Sequence, residues 1–215
     1  MAGPWQGGKR RMVKASAHEI LPLFPLPDFV LFPHVHVPLN IFETRYREMM
    51  TEVLDGNGRF CMGTLVGNWA QKYDGNPDFH PTGCVCSVID YERHPDGRYN
   101  ILVEGVSRVQ MAEVSNDRPF RCVEIRVDDM PAEISPANGA VQRLRELGSR
   151  ALIEVIGEAP SGMAERMQSI ELLTFLNLLA FHLPLDVKQK IDLIELPTSN
   201  ALAAELLQHC ERLHA

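Results

Sequence analysis

Residues 21–50, LPLFPLPDFVLFPHVHVPLNIFETRYREMM, constrain the fold of this chain more than any other stretch. Apolar residues there are interrupted by Pro22, Pro25, Pro27, Pro33 and Pro38. Proline has no backbone N–H, so the run is not expected to be a central strand along its length. It predicts an extended path along a sheet edge that delivers two or three apolar side chains at a time to a core. A helix then follows. Asn40 is placed to cap it, with Glu43 three residues on completing a capping box. Phe42, Tyr46, Met49, Met50 and Val53 recur at helical spacing and predict one apolar face, and Gly56 is the expected stop.

The pattern from 20 to 130 is mostly that of strands. Arg59–Val66 and Gly83–His94 are β-like runs. The segment HPDGR at 94–98 predicts a turn, because proline presets one central angle and Gly97 takes the left-handed one. Beyond it, Ile101, Val103, Val109 and Met111 share a face, with Gly105 an expected bulge and Ser107 a polar exception. Val123, Ile125 and Val127 alternate with charged residues as in a half-buried strand.

The pattern changes at Met130–Gly139, a linker with two prolines. Ser135 before Pro136 is a helix start signal. Val141, Leu144, Leu147, Leu152 and Val155 predict its apolar face, and Gly157 with Pro160 its end. A second helix is expected over about 162–182, broken by Pro184. Asp186 with Gln189 starts a third, and Pro197 separates a fourth with Leu202, Leu206 and Leu213 on one side. The expectation is an α+β chain: a closed or nearly closed antiparallel sheet with one helix (18–130), followed by a helical bundle (131–215). Residues 1–17, with Lys9, Arg10, Arg11 and Lys14, read as a disordered basic tail.

Composition narrows the function. With 215 residues, 45% of them hydrophobic, the chain can bury a sizeable core. A net charge of −7 opposes a nucleic-acid surface, which needs clustered Lys and Arg. Cys61, Cys84, Cys86, Cys122 and Cys210 form an odd set without disulfide-framework spacing, so buried reduced thiols are expected. No stretch has the length of a membrane span and no signal peptide is evident, which predicts a cytoplasmic protein without membrane partners.

Sites of chemistry are scarce. GPWQGGK at 3–9 has the glycine and lysine spacing of a phosphate loop, but Arg10 replaces the magnesium-binding hydroxyl and no strand precedes it. His34 with His36, and Cys84 with Cys86, each alternate onto one strand face. Two such pairs are not a specified four-ligand metal site, and surface histidines with core cysteines are the simpler reading. No serine occupies a glycine-flanked elbow. Glu43 is expected to pair with Arg47 four residues on, and Tyr46 to pack inward. The loop Gly67–Gly83 is polar yet carries Trp69, Tyr73 and Phe79. It reads either as a contact surface or as an Ω-loop held by its own rings. No catalytic, cofactor-binding or metal-binding residue is expected.

The LPLFPL start, the VLFP segment with its following PL, and the IFETRYREMM helix together resemble the Lon protease N-terminal, substrate-binding domain family. DGRYNILVEGVSRVQM (96–111) resembles that family's strand segment, and FHLPLDVKQKIDLIELPTSNALAAELLQ (181–208) is a weaker third match. The resemblance implies a PUA-like β-barrel followed by helices, and a non-catalytic module that binds exposed or unfolded polypeptide. An adaptor in protein quality control, beside a separate protease or chaperone, is one form this would take. The 215 residues hold no ATPase module and no Ser–Lys protease domain, so a member without them is expected. Candidate contacts are Phe29, Leu31, Phe32, Trp69, Tyr73 and Phe79. The alternatives are a hydrolase with a site assembled from distant residues, an RNA-binding PUA-like protein, and a ubiquitin-ligase adaptor.

Overall fold

The computed structural model describes residues 18–72, 75–128, 130, 139–157 and 162–214. The basic tail, the phosphate-loop-like GPWQGGK, Tyr73 and the Ser135–Pro136 start signal lie outside them. The chain divides into two compact units, Met1–Asp129 and Met130–Ala215. No described helix is long and apolar enough to cross a membrane.

The first unit contains β1 (His18–Leu26), β2 (His36–Ile41), α1 (Thr44–Asp55), β3 (Arg59–Thr64), β4 (Thr82–Arg93), β5 (Tyr99–Val114) and β6 (Cys122–Val127). The strand order is β2-β5-β4-β3-β1-β6, and a further β5–β6 pairing closes five of the strands into a ring. The long β5 makes this possible. Its first half pairs with β2 through Tyr99–Glu104, and its second half pairs with β6 through Val109–Val114. β4 runs along its other side.

Two expectations for the sheet need correction. It is mixed rather than antiparallel, because β1 and β3 are parallel, with Leu23 opposite Cys61 and Leu26 opposite Thr64. Parallel neighbours require a crossover, and β2 with α1 supplies it. The proline run is also not confined to an edge. β1 lies between β3 and β6. It tolerates its prolines because the registered pairs change partner along it: 18–22 pair with β6 and 23–26 with β3. Pro22 stands at that change, where few residues need to bond on both sides. The edge reading does hold for β2, where Pro38 sits on a strand paired only with β5.

Inside the ring, Leu21, Leu23, Cys61, Val85, Val109, Met111, Val123 and Ile125 form one buried cluster. The opposite face of β1 and β3 meets α1: the Phe24 ring lies edge-on to Tyr46 at 4.6 Å and to Phe60 at 6.2 Å. From α1, Tyr46, Met49, Met50 and Val53 are buried as the helical period requires. Phe42 is not on that face. It precedes the helix and is 63% exposed. Asn40 does not cap α1 either. It belongs to β2, where its side-chain amide donates to Asn100 Oδ1 at 2.7 Å. The N-cap is Glu43, which makes no side-chain cap bond and instead pairs with Arg45 at 3.0 Å, not with Arg47.

The 94–98 turn forms as expected. His94 N–H donates to Arg98 O, Gly97 N–H donates to His94 O, and Gly97 has φ 84°. The bulge at Gly105 is also present, as a register shift opposite Val85 and Cys86. A Cβ at Gly105 would stand 2.2 Å from the Phe32 carbonyl oxygen. Only a glycine lets the 29–35 segment approach so closely. That segment is held there by His34 N–H to Gly105 O and by Gly105 N–H to Val35 O.

The second unit contains α2 (Ala140–Ile156), α3 (Met163–Ser169), α4 (Leu172–His182), α5 (Val187–Ile194) and α6 (Ser199–Leu213). Leu144 and Leu152 of α2 are buried, but Val155 is exposed, near the helix end at Gly157. The single helix expected over 162–182 is two. Ile170 is extended, and the Glu171 side chain accepts the Leu173 and Thr174 N–H groups, starting α4 afresh. Asp186 and Gln189 form the predicted capping box of α5. On α6, Leu202, Leu206 and Cys210 are buried, whereas Leu213 is exposed.

Candidate functional site

β3 and β4 are joined by the long loop that holds most of the sequence-selected aromatics. Its base is fastened by backbone bonds from Val66 N–H to Asp78 O and from His80 N–H to Thr64 O, with Leu65 and Phe79 forming a β-bridge. Trp69 opens a 3-10 turn, Trp69–Lys72, and is half-buried. The segment after β1 reaches the same base. Leu65 N–H donates to Leu26 O, and Thr64 Oγ1 donates to Phe29 O at 2.7 Å. The Phe29 backbone thus adjoins the strand end from which the aromatic loop departs.

The six selected residues separate into three groups. Leu31 and Phe32 are 3% and 1% exposed. They fill the core beneath the segment that docks on Gly105, so they support a surface and do not form one. Phe79 is half-buried against the ring cluster, and the Arg121 guanidinium covers it at 4.7 Å. Arg121 also donates to Pro77 O at 2.7 Å and grips both Glu113 oxygens at 2.7 Å. Those charge-assisted bonds hold the Glu113 carboxyl below its usual range. Phe79 therefore pins the loop in the manner of an Ω-loop. Phe29 and Trp69 are half-buried as well. Tyr73 lies outside the described residues.

A second concavity was not visible in the sequence. A cleft of about 340 Å³ lies between α1 and the β4–β5 turn, lined by Thr44, Arg47, Thr51, Arg93, Asp96 and Tyr99 among others. The Tyr99 hydroxyl is 3.2 Å from Thr51 Oγ1, which joins the helix to β5. Arg47 Nη1 donates to Asp96 O at 3.0 Å, and the Arg93 guanidinium lies 5.6 Å from the Tyr99 ring centre. Arg47 had a sequence signal only as the expected helix partner of Glu43, with no pointer to a cleft. Arg93 had none, because its place at the cleft depends on the strand register opposite Tyr99.

Metal chemistry finds little support in the ligand geometry. Among the described residues, no group of three or more His, Cys, Asp or Glu is placed to hold a metal ion. His36 faces Glu104 at 3.6 Å on β2. All five cysteines are buried and unbridged. Burial pushes the Cys61 and Cys86 thiols well above their ordinary range, which disfavours the thiolate needed for a nucleophile or a ligand.

Residues 20–212 match the family described as the ATP-dependent protease La (LON) substrate-binding domain. The Lon protease of Flavobacterium johnsoniae is 26% identical over 204 residues, covering 88% of this chain and 23% of that protein. Lon protease 2 of Myxococcus xanthus is 24% identical over 203 residues, covering 90% and 24%. The chain thus spans about a quarter of the length of these curated relatives. Among solved structures, the N-terminal domain of a Mycobacterium avium complex Lon protease superposes with a TM-score of 0.64 at 16% identity, covering 90% of this chain and 98% of that one. A Lon N-terminal domain protein from Xanthomonas campestris gives 0.59 at 22%, covering 88% and 98%. Those two likenesses establish the fold.

Proposed function

The chain belongs to the family of Lon (ATP-dependent protease La) substrate-binding domains, and from that premise we propose that it is a non-catalytic module that binds exposed, apolar segments of polypeptide. Its clients would be unfolded or partly unfolded chains. An adaptor role beside a separate protease or chaperone, in the cytoplasm, completes the reading.

The observation that carries it is the convergence of Phe29 and the Trp69 turn on one end of the sheet. Both residues are half-buried; the Phe29 carbonyl accepts the Thr64 hydroxyl at the end of β3, and the Trp69 turn belongs to the loop whose base is closed by Val66 N–H to Asp78 O and His80 N–H to Thr64 O. Large rings fixed on a rigid frame supply contact area at small entropic cost and tolerate varied partner sequences. The buried thiols and the lack of a metal-ligand group among the described residues give the hydrolase alternative no supporting geometry.

The test is fluorescence anisotropy of a labelled, permanently unfolded protein titrated with this chain. Saturable binding, weakened by deleting residues 68–82, is expected. Failure to bind at about 100 µM, a free energy weaker than about −5.5 kcal/mol, would overturn the proposal.

A further inference from the structure

The arginines of the sheet unit are unevenly satisfied. Arg45, Arg59, Arg98, Arg108, Arg118 and Arg121 each meet a carboxylate within 4 Å. Arg47, Arg93 and Arg126 form no such pair among the described residues, and the first two line the 340 Å³ cleft between α1 and the β4–β5 turn. Their contacts are to neutral groups: Arg47 to the Asp96 backbone carbonyl, Arg93 to the face of Tyr99. Two guanidinium groups without an ion-pair partner among the described residues therefore share one concavity.

The other charges of the cleft do not cancel them. The Asp96 carboxylate already accepts Arg98 Nε at 2.7 Å and the Arg98 backbone N–H at 3.1 Å. Among the lining residues Glu48 and Asp96 equal the two arginines in number, and it is the Arg98 bonds to Asp96 that leave the arginines less opposed. Thr44, the first residue of α1, also lines the cleft, so the positive end of a twelve-residue helix adds to the same field. The frame is held in shape, because Thr51 joins Tyr99 and the Thr51 hydroxyl also donates to Arg47 O.

We propose that this cleft is a carboxylate-binding subsite, taking either the C-terminal carboxylate or an Asp or Glu side chain of a bound polypeptide between Arg47 and Arg93. The proposal rests on the polypeptide-binding reading above and adds a chemical preference to it. Arginine's planar fork suits a carboxylate, and both arginines reach the cleft with their carboxylate-binding capacity unspent. The volume admits one residue and its terminal group, with Pro95 offering an apolar flank.

The experiment uses the full chain and a short fluorescein-labelled apolar peptide that carries one internal Glu and a free C-terminus. Two companions differ by a C-terminal amide or by Glu→Gln. The expected result is anisotropy binding of the acid peptide that weakens about tenfold or more in the R47Q/R93Q double variant and falls as salt is raised, with the melting temperature of the variant unchanged. Loss on amidation assigns the C-terminal carboxylate, and loss on Glu→Gln assigns the side chain. The proposal is overturned if R47Q/R93Q binds the acid peptide as the parent does, or if the amide and Gln peptides both bind as tightly as the acid. It is likewise overturned if the acid peptide does not bind. In each of those cases retained binding of the labelled unfolded protein leaves the wider reading standing, and only its loss as well removes both.

Discussion

Arg121 lies over the ring of Phe79 at 4.7 Å while its guanidinium holds both oxygens of Glu113 at 2.7 Å. One side chain from the residue just before β6 thereby fixes the aromatic anchor of the β3–β4 loop, and its bond to Pro77 O fastens the loop backbone as well. Arg121→Ala is expected to raise the hydrogen-exchange rates of the Val66 and His80 amides, which close the loop base, more than those of β4. Equal acceleration in both places would show that Arg121 serves the whole sheet and not the loop.

The same pair gives a pH dependence. The Glu113 carboxyl is held below its usual range chiefly by its hydrogen bonds to Arg121. A depressed carboxyl stabilises the fold above its unfolded pKa of about 4.3, and the contribution is lost as pH falls through the lower folded value. The melting temperature of Glu113→Gln should therefore lie below the parent's at neutral pH and converge on it in acid. Glu113 is 41% exposed on its side chain, so solvent screening keeps the difference small. A gap that persists unchanged into strong acid would contradict this account.

Gly105 is the point where the 29–35 segment touches the sheet. Because a Cβ there would meet the Phe32 carbonyl at 2.2 Å, Gly105→Ala must displace backbone and not merely a side chain. A loss of about 1–3 kcal/mol is expected from chemical denaturation. Solvent protection should fall first at the His34 amide, whose acceptor is Gly105 O. A variant as stable as the parent would mean that the segment moves away without cost.

Glu19 and Arg59 join β1 to the start of β3 at 2.8 Å, with side chains 20% and 7% exposed. Asn57 donates to the same Glu19 oxygen at 3.1 Å. Removing one member of a buried pair leaves the other charge in a poor solvent. Glu19→Ala should therefore cost about 3 kcal/mol, and replacing both residues by apolar ones of similar size should cost less. Equal losses from the single and the double change would refute a buried-charge origin.

Which parts of this architecture the sequence discloses follows from how local their causes are. The 94–98 turn, the Asp186–Gln189 capping box and the buried face of α1 each depend on neighbours within a few residues, and each was legible. Asn40 shows the limit. Its spacing from Glu43 fits a cap, but β5 places Asn100 opposite, and the amide pair holds Asn40 in β2. The β1 partner change is likewise set by residues far along the chain, and the α3–α4 break has a distant cause beside the local Glu171 cap. At the break, Arg145 of α2 donates to Met167 O and Ile170 O, and its burial lowers its pKa from the ordinary value. The aromatic loop announced itself by composition, but which of its rings face solvent did not. The cleft arginines were illegible for the same reason, since Arg47 and Arg93 are brought together only by the packing of α1 on the turn.

Trp69 and Phe79 sit on one loop yet should respond differently to truncation. Phe79 packs on the ring cluster beneath Arg121, so Phe79→Ala is expected to lower stability by about 3 kcal/mol and to affect binding only through that loss. Trp69 is half-buried on the 3-10 turn, and Phe29 is half-buried beside the loop base. Trp69→Ala and Phe29→Ala should each weaken anisotropy binding of labelled unfolded protein by about 1–2 kcal/mol, with a change in melting temperature smaller than that of Phe79→Ala. The separation follows from packing, because the Phe79 ring is tied to the ring cluster and to Arg121 and its loss loosens the loop, whereas Phe29 and Trp69 lie outside that cluster. If Phe79→Ala alone abolished binding while the protein stayed fully folded, the contact surface would have to be moved from Phe29 and Trp69 to the Arg121 side of the loop.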